Sequence, residues 1–467
     1  MESLGGTAPG HRAARAVSGA AFSWTHIFTL ELMLFLGLWF FYGTLINVKN
    51  IDDFGQSMTE AIVDEHRFSV EDLSAWPVRG DVFGLNGHVY SNKNPGQAFI
   101  SSVAYVHLRL LGISYAGDKI FAGALVIFFS SCLLTALAAI ALYRLARDLA
   151  GEGTIWPLAA TLVWALCTTA MAFSGVAWHD VLATALLVIA VYLLRTIRNI
   201  SLAPAMARNL SVVAGFLLGM TITTSMTFFF MVVLFGVYFL TMRRWPLLAP
   251  FVFGGLAGVA PMLFYNAVNF GNPFTFPAVA YFQYSGMPPD VYFFLEWHNF
   301  ESKVIAYFTL INWYVPVLWL GLVGLVFLPS RVRREQLFVI GAIAVLVLYM
   351  FNVQGLGVCG YGPRYLMPIM PFCSLGIIGL GRIPTKALKL LMGAAVSWIA
   401  FLSFRVNVVG AIGGAMFCNY AASGYPEYIN KISTGGLSQF PLLWLLLPFS
   451  VLWCILAFYL LLPSGDT

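Results

Sequence analysis

Two adjacent carboxylates, Asp52 and Asp53, stand five or six residues beyond the end of the first apolar run. Neighbouring carboxylates tend not to share one environment, and unequal environments split their pKa values into acid and base roles. Equally, one of them suits the N-cap of a helix starting at Phe54. Further on, Gly87–Gly96 reads GHVYSNKNPG, with Tyr90 and Lys93 ahead of a turn-forming Asn94-Pro95-Gly96. Lys93 is a compact cation fit for a phosphate at headgroup depth, or for snorkelling at a membrane interface. Trp178-His179-Asp180 fills a short connection between two apolar runs. His and Asp at the mouth of a bundle suit acid–base work, a phosphate or a metal, and Asp180 also suits the cap of the span it opens. Gly362–Pro368 reads GPRYLMP, where Arg364 offers a fork for phosphate or carboxylate, or an interface anchor. No His/Cys spacing suggests zinc, so a metal here would be a divalent cation held by carboxylates and water.

The elements that must position these residues follow from composition. The 467-residue chain is 60% hydrophobic and 10% charged, with a mean hydropathy of +0.83. That excludes a soluble domain and indicates an all-α polytopic membrane protein. Runs near the bilayer-crossing length of about 20 residues lie at 25–47, 119–143, 154–173, 180–197, 210–225, 226–242, 247–266, 304–328, 336–353, 366–381, 387–405 and 440–462. They make twelve expected transmembrane helices. The split of 210–242 rests on Arg208 before it and Arg243-Arg244 after it, with a tight hairpin near Thr221 to Thr227.

The positive-inside rule orients the spans. Fifteen of the 25 Lys and Arg fall in the tail and loops of one side, from Arg12 and Arg15 to Lys386 and Lys389. Both termini are therefore expected in the cytoplasm, with 1–24 and 463–467 as tails flanking one membrane domain, 25–462. The long first loop, 48–118, and two more, 267–303 and 406–439, are expected outside, on a plasma or bacterial inner membrane. Lys49 to Gly96 holds eight of the 20 acidic residues. Beyond the Asp52/Asp53 pair these read as the solvated face of the loop's helices, and 97–112 reads as an interfacial amphipathic helix. Cys132, Cys167, Cys373 and Cys454 read as buried apolar residues, leaving a Cys359–Cys418 disulfide as an option. The +5 charge lies between spans and does not point to nucleic acid. No Walker A, dinucleotide fingerprint or HExxH occurs, so no direct use of a nucleotide is indicated.

In this order the motifs resemble the integral-membrane glycosyltransferases of the GT-C fold, in the superfamily of protein O-mannosyltransferases and aminoarabinose transferases. The likeness rests on the acidic pair after the first span, GHVYSNKNPG, WHD, YNAVNFGNPF (Tyr265 to Phe274) and GPRYLMP. It reaches to about residue 381. It departs at Lys93-Asn94-Pro95, where the family often has two prolines after the lysine, and at Asp-Asp where mannosyltransferases have Asp-Glu. The resemblance implies transfer of a sugar, with inversion, from a polyprenyl-phosphate donor to an acceptor outside the cytoplasm. It implies Asp53 or Asp52 as general base, Lys93 and Arg364 on the phosphate, and Asp180 with His179 completing the site or holding a divalent cation. Tyr90 belongs to the substrate-binding segment. No large soluble domain follows the last span, so acceptor specificity would come from the outer loops. The alternative reading is a twelve-span secondary transporter. Transporters carry charges near the midplane, and here Glu31 is the one acidic residue well inside a span.

Overall fold

The computed structural model describes residues 24–48, 54–77, 81–151, 154–199, 202–285, 300–352, 361–413 and 439–461. Asp52, Asp53, Cys359 and Cys418 lie outside these residues, as do most of 267–303 beyond Ser285 and most of 406–439 beyond Gly413.

The described chain is helical apart from one hairpin, as a backbone in lipid must be when every polar group needs an internal partner. All twelve expected segments contain helix. Among the described residues, six helices are long and apolar enough to cross a membrane: Tyr115–Ala150, His179–Asn199, Pro204–Thr224, Trp245–Phe270, Ser330–Phe351 and Lys386–Ile412. The chain is an integral membrane protein. Five other expected segments are shorter apolar helices, such as Trp156–Cys167 and Met226–Thr241. The expected straight span at 304–328 is corrected. It is two helices, Phe300–Tyr314 and Val317–Leu325, bent by 106°. Pro316 stands at the break, where it has no N–H to give and its ring clashes with the preceding turn. Hydropathy alone runs straight through that residue.

Two helix pairs come together on glycine. On Pro204–Thr224, Gly215 and Gly219 face Gly254 and Gly258 of Leu248–Phe270. A Cβ at any of the four would collide with backbone of the opposite helix. Gly321 and Gly324 meet Gly376 and Gly379 in the same way. With lipid as apolar as leucine, small residues that let backbones approach are what hold helices together. Large apolar side chains point outward instead, among them Phe253, Leu256, Phe264, Leu390 and Trp398. Cys132, Cys167 and Cys373 are buried free thiols, as expected.

The two ends of the bundle differ in charge. At one end Glu31 is bound by Arg144 (2.7 Å) and Arg147 (3.7 Å). There also Glu335 is bound by Arg195 and Arg198, Arg334 reaches the Thr241 carbonyl, and Arg382 reaches that of Ala150. The arginines among these are ones that the sequence expects on one side, and they lie together at this end.

The first loop folds at the other end. Helix Phe54–Val63 opens the described part of this loop. A two-stranded antiparallel hairpin follows, β1 (Val82–Leu85) and β2 (His88–Ser91), with Val82 opposite Ser91. Its turn is Asn86-Gly87, both at positive φ (53° and 84°), the primed geometry that matches strand twist. The helix-only reading of this loop missed the hairpin. Helix Gly96–Leu110 lies where the interfacial helix was expected, with Val103, Val106 and Leu110 exposed on its outer side.

Of the carboxylates from Glu60 to Asp81, Glu65, Asp72 and Asp81 are exposed as expected, and Glu60, Asp64 and Glu71 are not part of a solvated face. Buried Glu60 accepts from the N–H groups of Ala75 (2.9 Å) and Trp76 (2.8 Å). Asp64 accepts from Tyr105 Oη (2.7 Å) and pairs with Arg109 (3.0 Å). Glu71 is clasped by Arg67 (2.7 Å), His88 Nδ1 (2.8 Å), Ser69 Oγ (2.8 Å) and the Val89 N–H (2.9 Å). Loop backbone leaves many N–H groups without a ladder, and these carboxylates satisfy them.

Candidate active-site cleft

Where the first loop docks on the bundle it leaves a cleft holding about 290 Å³ of empty space, continuous with solvent. Three segments meet there: the start of helix Phe54–Val63, the stretch from Ser91 through Ala98, and Trp178-His179.

Lys93 follows the hairpin directly. Its N–H donates to Ser91 Oγ (3.1 Å) and its ammonium pairs with Asp81 Oδ2 (3.2 Å). The Asn94-Pro95-Gly96 turn anchors the segment to the bundle. Asn94 Nδ2 donates to the Ile222 carbonyl (3.1 Å). Gly96 lies so close to the backbone of Thr223 and Thr224 that a Cβ would meet it at about 2.5–2.6 Å. The turn sequence that suits a headgroup-depth lysine is therefore also the clamp that holds it.

Asp180 is buried at the start of His179–Asn199. Its Oδ2 accepts from Trp178 Nε1 (3.0 Å) and its Oδ1 from Ser225 Oγ (3.2 Å), with His179 Nε2 at 3.5 Å. Both oxygens are thus engaged by protein, and the carboxylate fixes the indole of Trp178. Arg364 comes from the far side of the chain. Pro363 and Pro368 bracket it in a 3₁₀ turn, Arg364–Ile369, and Gly362 at φ +64° makes the entry. Its guanidinium lies over the Trp178 ring (4.9 Å) and the Tyr365 ring (5.1 Å). Only 8% exposed, Arg364 leaves its Nε and Nη1 without a hydrogen-bond partner, and among the described residues no carboxylate faces it. His179 lies half-buried against Asp180 first, with the charges of Lys93, Arg364 and Asp81 reaching it more weakly.

Lys93 and His179 line the cleft, and Arg364 and Asp180 stand behind its Trp178 wall. The structure thus brings four of the seven expected site residues to one place. Asp52 and Asp53 lie outside the described residues, but Gly55, two positions after Asp53 in the chain, lines the cleft. Tyr90 is not part of the lining. It packs in an aromatic cluster against Phe83 (6.2 Å) and Phe270 (5.8 Å). Burial and then the Glu71 charge raise its phenol pKa, keeping it neutral. Among the described residues no group of three or more His, Cys, Asp or Glu side chains could hold a metal ion. Each Asp180 oxygen is engaged by a protein donor.

Sequence reasoning passed over Asp81, the resting partner of Lys93, and Gln97, which lines the cleft. Asp81 had no signal beyond its charge. Gln97 had one: a polar side chain four residues after the lysine, on the same helical face as Ser101.

No family model matches the sequence, and no curated protein matches it. Solved structures do. The backbone is similar to that of ArnT from Cupriavidus metallidurans bound to undecaprenyl phosphate, over 94% of this chain and 78% of that one, with TM-score 0.50 and 15% identity. The fold is that of the GT-C membrane glycosyltransferases. The archaeal oligosaccharyltransferase AglB from Archaeoglobus fulgidus, in complex with an inhibitory peptide and a dolichol-phosphate, aligns more loosely. Its TM-score is 0.47 at 12% identity, over 85% of this chain and 57% of that one. At such identities the likeness speaks for the GT-C fold and not for the chemistry, which must be argued from the cleft.

Proposed function

We propose that this protein is a membrane glycosyltransferase that takes a sugar from a polyprenyl-phosphate donor and transfers it, with inversion, to an acceptor outside the cytoplasm. The observation that carries the reading is Arg364. A buried guanidinium with two unpaired nitrogens is costly unless an anion joins it, and Lys93 and His179 stand around the same Trp178 wall. Arg364 has no carboxylate partner and Lys93 only an exposed one, Asp81, and such cations suit a group whose negative charge grows during reaction. A departing polyprenyl phosphate is such a group, and the bundle lets its lipid approach from the bilayer.

Asp53 or Asp52 is the general base of this scheme. It would take the proton of the acceptor hydroxyl as that oxygen attacks the anomeric carbon, while the sugar–phosphate bond breaks toward Lys93 and Arg364. Asp180 holds Trp178, and through it the plane on which Arg364 rests. The twelve spans, cytoplasmic termini and outward-facing cleft belong to the same proposal, supported by the arginines that gather at the opposite end. The transporter reading loses its one midplane acid, since Glu31 is tied to Arg144 and Arg147.

The test uses purified full-length protein with undecaprenyl-phosphate sugars and an extract of acceptors. Transfer by wild type, and its loss by about 10²–10⁴-fold in Asp53→Ala or Asp52→Ala, is expected. Binding of undecaprenyl phosphate that is indifferent to Lys93→Ala and Arg364→Met together would overturn the assignment.

A further inference from the structure

Gln97 is a buried amide in the cleft that no described group satisfies. It is 6% exposed, and its Nε2 has no hydrogen-bond partner. It lines the cleft from the first turn of helix Gly96–Leu110. Opposite it stands Gly55, where a Cβ would collide with the Gln97 amide. The glycine makes the room this side chain occupies. A fold does not leave a donor buried and idle without loss; Ser101 Oγ and Ser102 Oγ of the same helix are idle too, but of these Gln97 is the one that lines the cleft, and Asn94 beside it is occupied by Ile222.

The cleft has two unlike walls. Lys93, with Arg364 behind Trp178, forms a cationic one. Gln97, Ser91, Gly55 and Met58 form an uncharged one. A phosphate only accepts hydrogen bonds at its ionised oxygens, so it belongs with the cations. An amide both donates and accepts, which matches a hydroxyl. We propose that Gln97 is a binding residue for the sugar ring of the donor, hydrogen-bonding its hydroxyls while the cationic wall takes the phosphate. This rests on the glycosyltransferase reading and adds a division of labour to it.

The experiment measures binding of three probes to full-length wild type, Gln97→Met and Gln97→Asn: undecaprenyl phosphate, undecaprenyl-phosphate hexose and undecaprenyl-phosphate pentose. Thermal midpoints are read alongside. At least one sugar should add affinity for wild type. Gln97→Met should bind bare undecaprenyl phosphate as wild type does and lose about three- to tenfold for that sugar-bearing lipid, the worth of one neutral hydrogen bond. Gln97→Asn, whose amide is drawn back by one carbon, should lose less. The midpoint of Gln97→Met should hold or rise, since an idle buried donor has been removed, whereas a structural glutamine would lower it. Equal weakening of all probes, unchanged sugar affinity, a falling midpoint, or a wild type to which neither sugar adds affinity would each overturn the proposal. Failure of wild type to bind even undecaprenyl phosphate would overturn the glycosyltransferase reading itself, a separate result.

Discussion

The two ends of the bundle treat arginine differently. At the basic end Arg144 and Arg147 share Glu31, and Arg195 and Arg198 share Glu335, which also accepts from Tyr238 Oη (3.3 Å). At the cleft end Arg364 lies between two aromatic rings with two nitrogens idle. A buried ion pair is close to neutral for stability when intact and expensive when halved. The first arrangement therefore holds helices in register. The second is incomplete as it stands, and under the proposed function an anion would complete it. On that proposal, the presence or absence of a carboxylate partner separates structural from functional arginine without appeal to motif.

The largest effects test that separation directly. Glu335→Ala leaves two arginines unpaired and should cost about 3–5 kcal/mol of stability, read as loss of folded protein in detergent, with normal transfer per folded molecule. Arg364→Met should do the reverse. Transfer should fall about 10²–10³-fold, while the thermal midpoint stays level or rises. If Arg364→Met instead unfolds the protein as Glu335→Ala does, the two ends are alike and the contrast fails.

A smaller perturbation asks whether the cleft end can be disturbed through its scaffold. Gly219→Leu drives a side chain into the backbone of the facing helix. Overpacking costs about 1–3 kcal/mol. It should also displace Thr223 and Thr224, on which Gly96 rests, so sugar transfer should drop by more than the loss of folded protein. The arginine network would stay intact.

Much of this organisation is legible in the amino-acid sequence, and what is not has physical causes. Hydropathy finds the helices of the bundle, because a bilayer-length apolar run has few alternatives. Basic residues place the two ends, because charge is costly to move across lipid. The bend at Pro316 escapes a hydropathy count, since that count is blind to backbone geometry. The glycine seams escape because pairing between distant helices leaves no local period. Lys93, His179, Asp180 and Arg364 are visible as polar residues in an apolar chain. Gln97 and Asp81 are not, since a glutamine in a helix and an acid in an acidic loop look ordinary. Only their partners, or the lack of one, mark them out.

Acid should separate the ends as well. At the cleft end, burial would raise the Glu71 carboxyl, but hydrogen bonds from His88, the Val89 N–H and Ser69 outweigh it and pull its pKa from 4.5 to about 2. A depressed folded-state value means stability that is fully present above 4.5 and is lost as pH falls from there through about 2. Thermal midpoints taken down this range should drop for wild type and stay flatter for Glu71→Gln, which has no charge to lose. Equal slopes would mean that the clasp contributes nothing to folding.

The smallest effect concerns the one cation of the cleft that is already paired. Lys93 rests on Asp81 at 3.2 Å, with side chains 28% and 44% exposed. Asp81 sits at φ +47°, and the Asn92 N–H holds its carbonyl (2.9 Å). The hairpin's end therefore aims this carboxylate at the lysine. Water reaches both partners, so the pair is worth about 0.2–1 kcal/mol, little enough for a phosphate to displace. Asp81→Asn should tighten undecaprenyl phosphate binding by less than about fivefold at low salt. The gain should fade as ionic strength rises and the Debye length shrinks to a few ångströms. Arg364, buried behind Trp178, should show no such salt dependence. Weaker binding in Asp81→Asn would mean that the carboxylate positions Lys93 rather than competing for it.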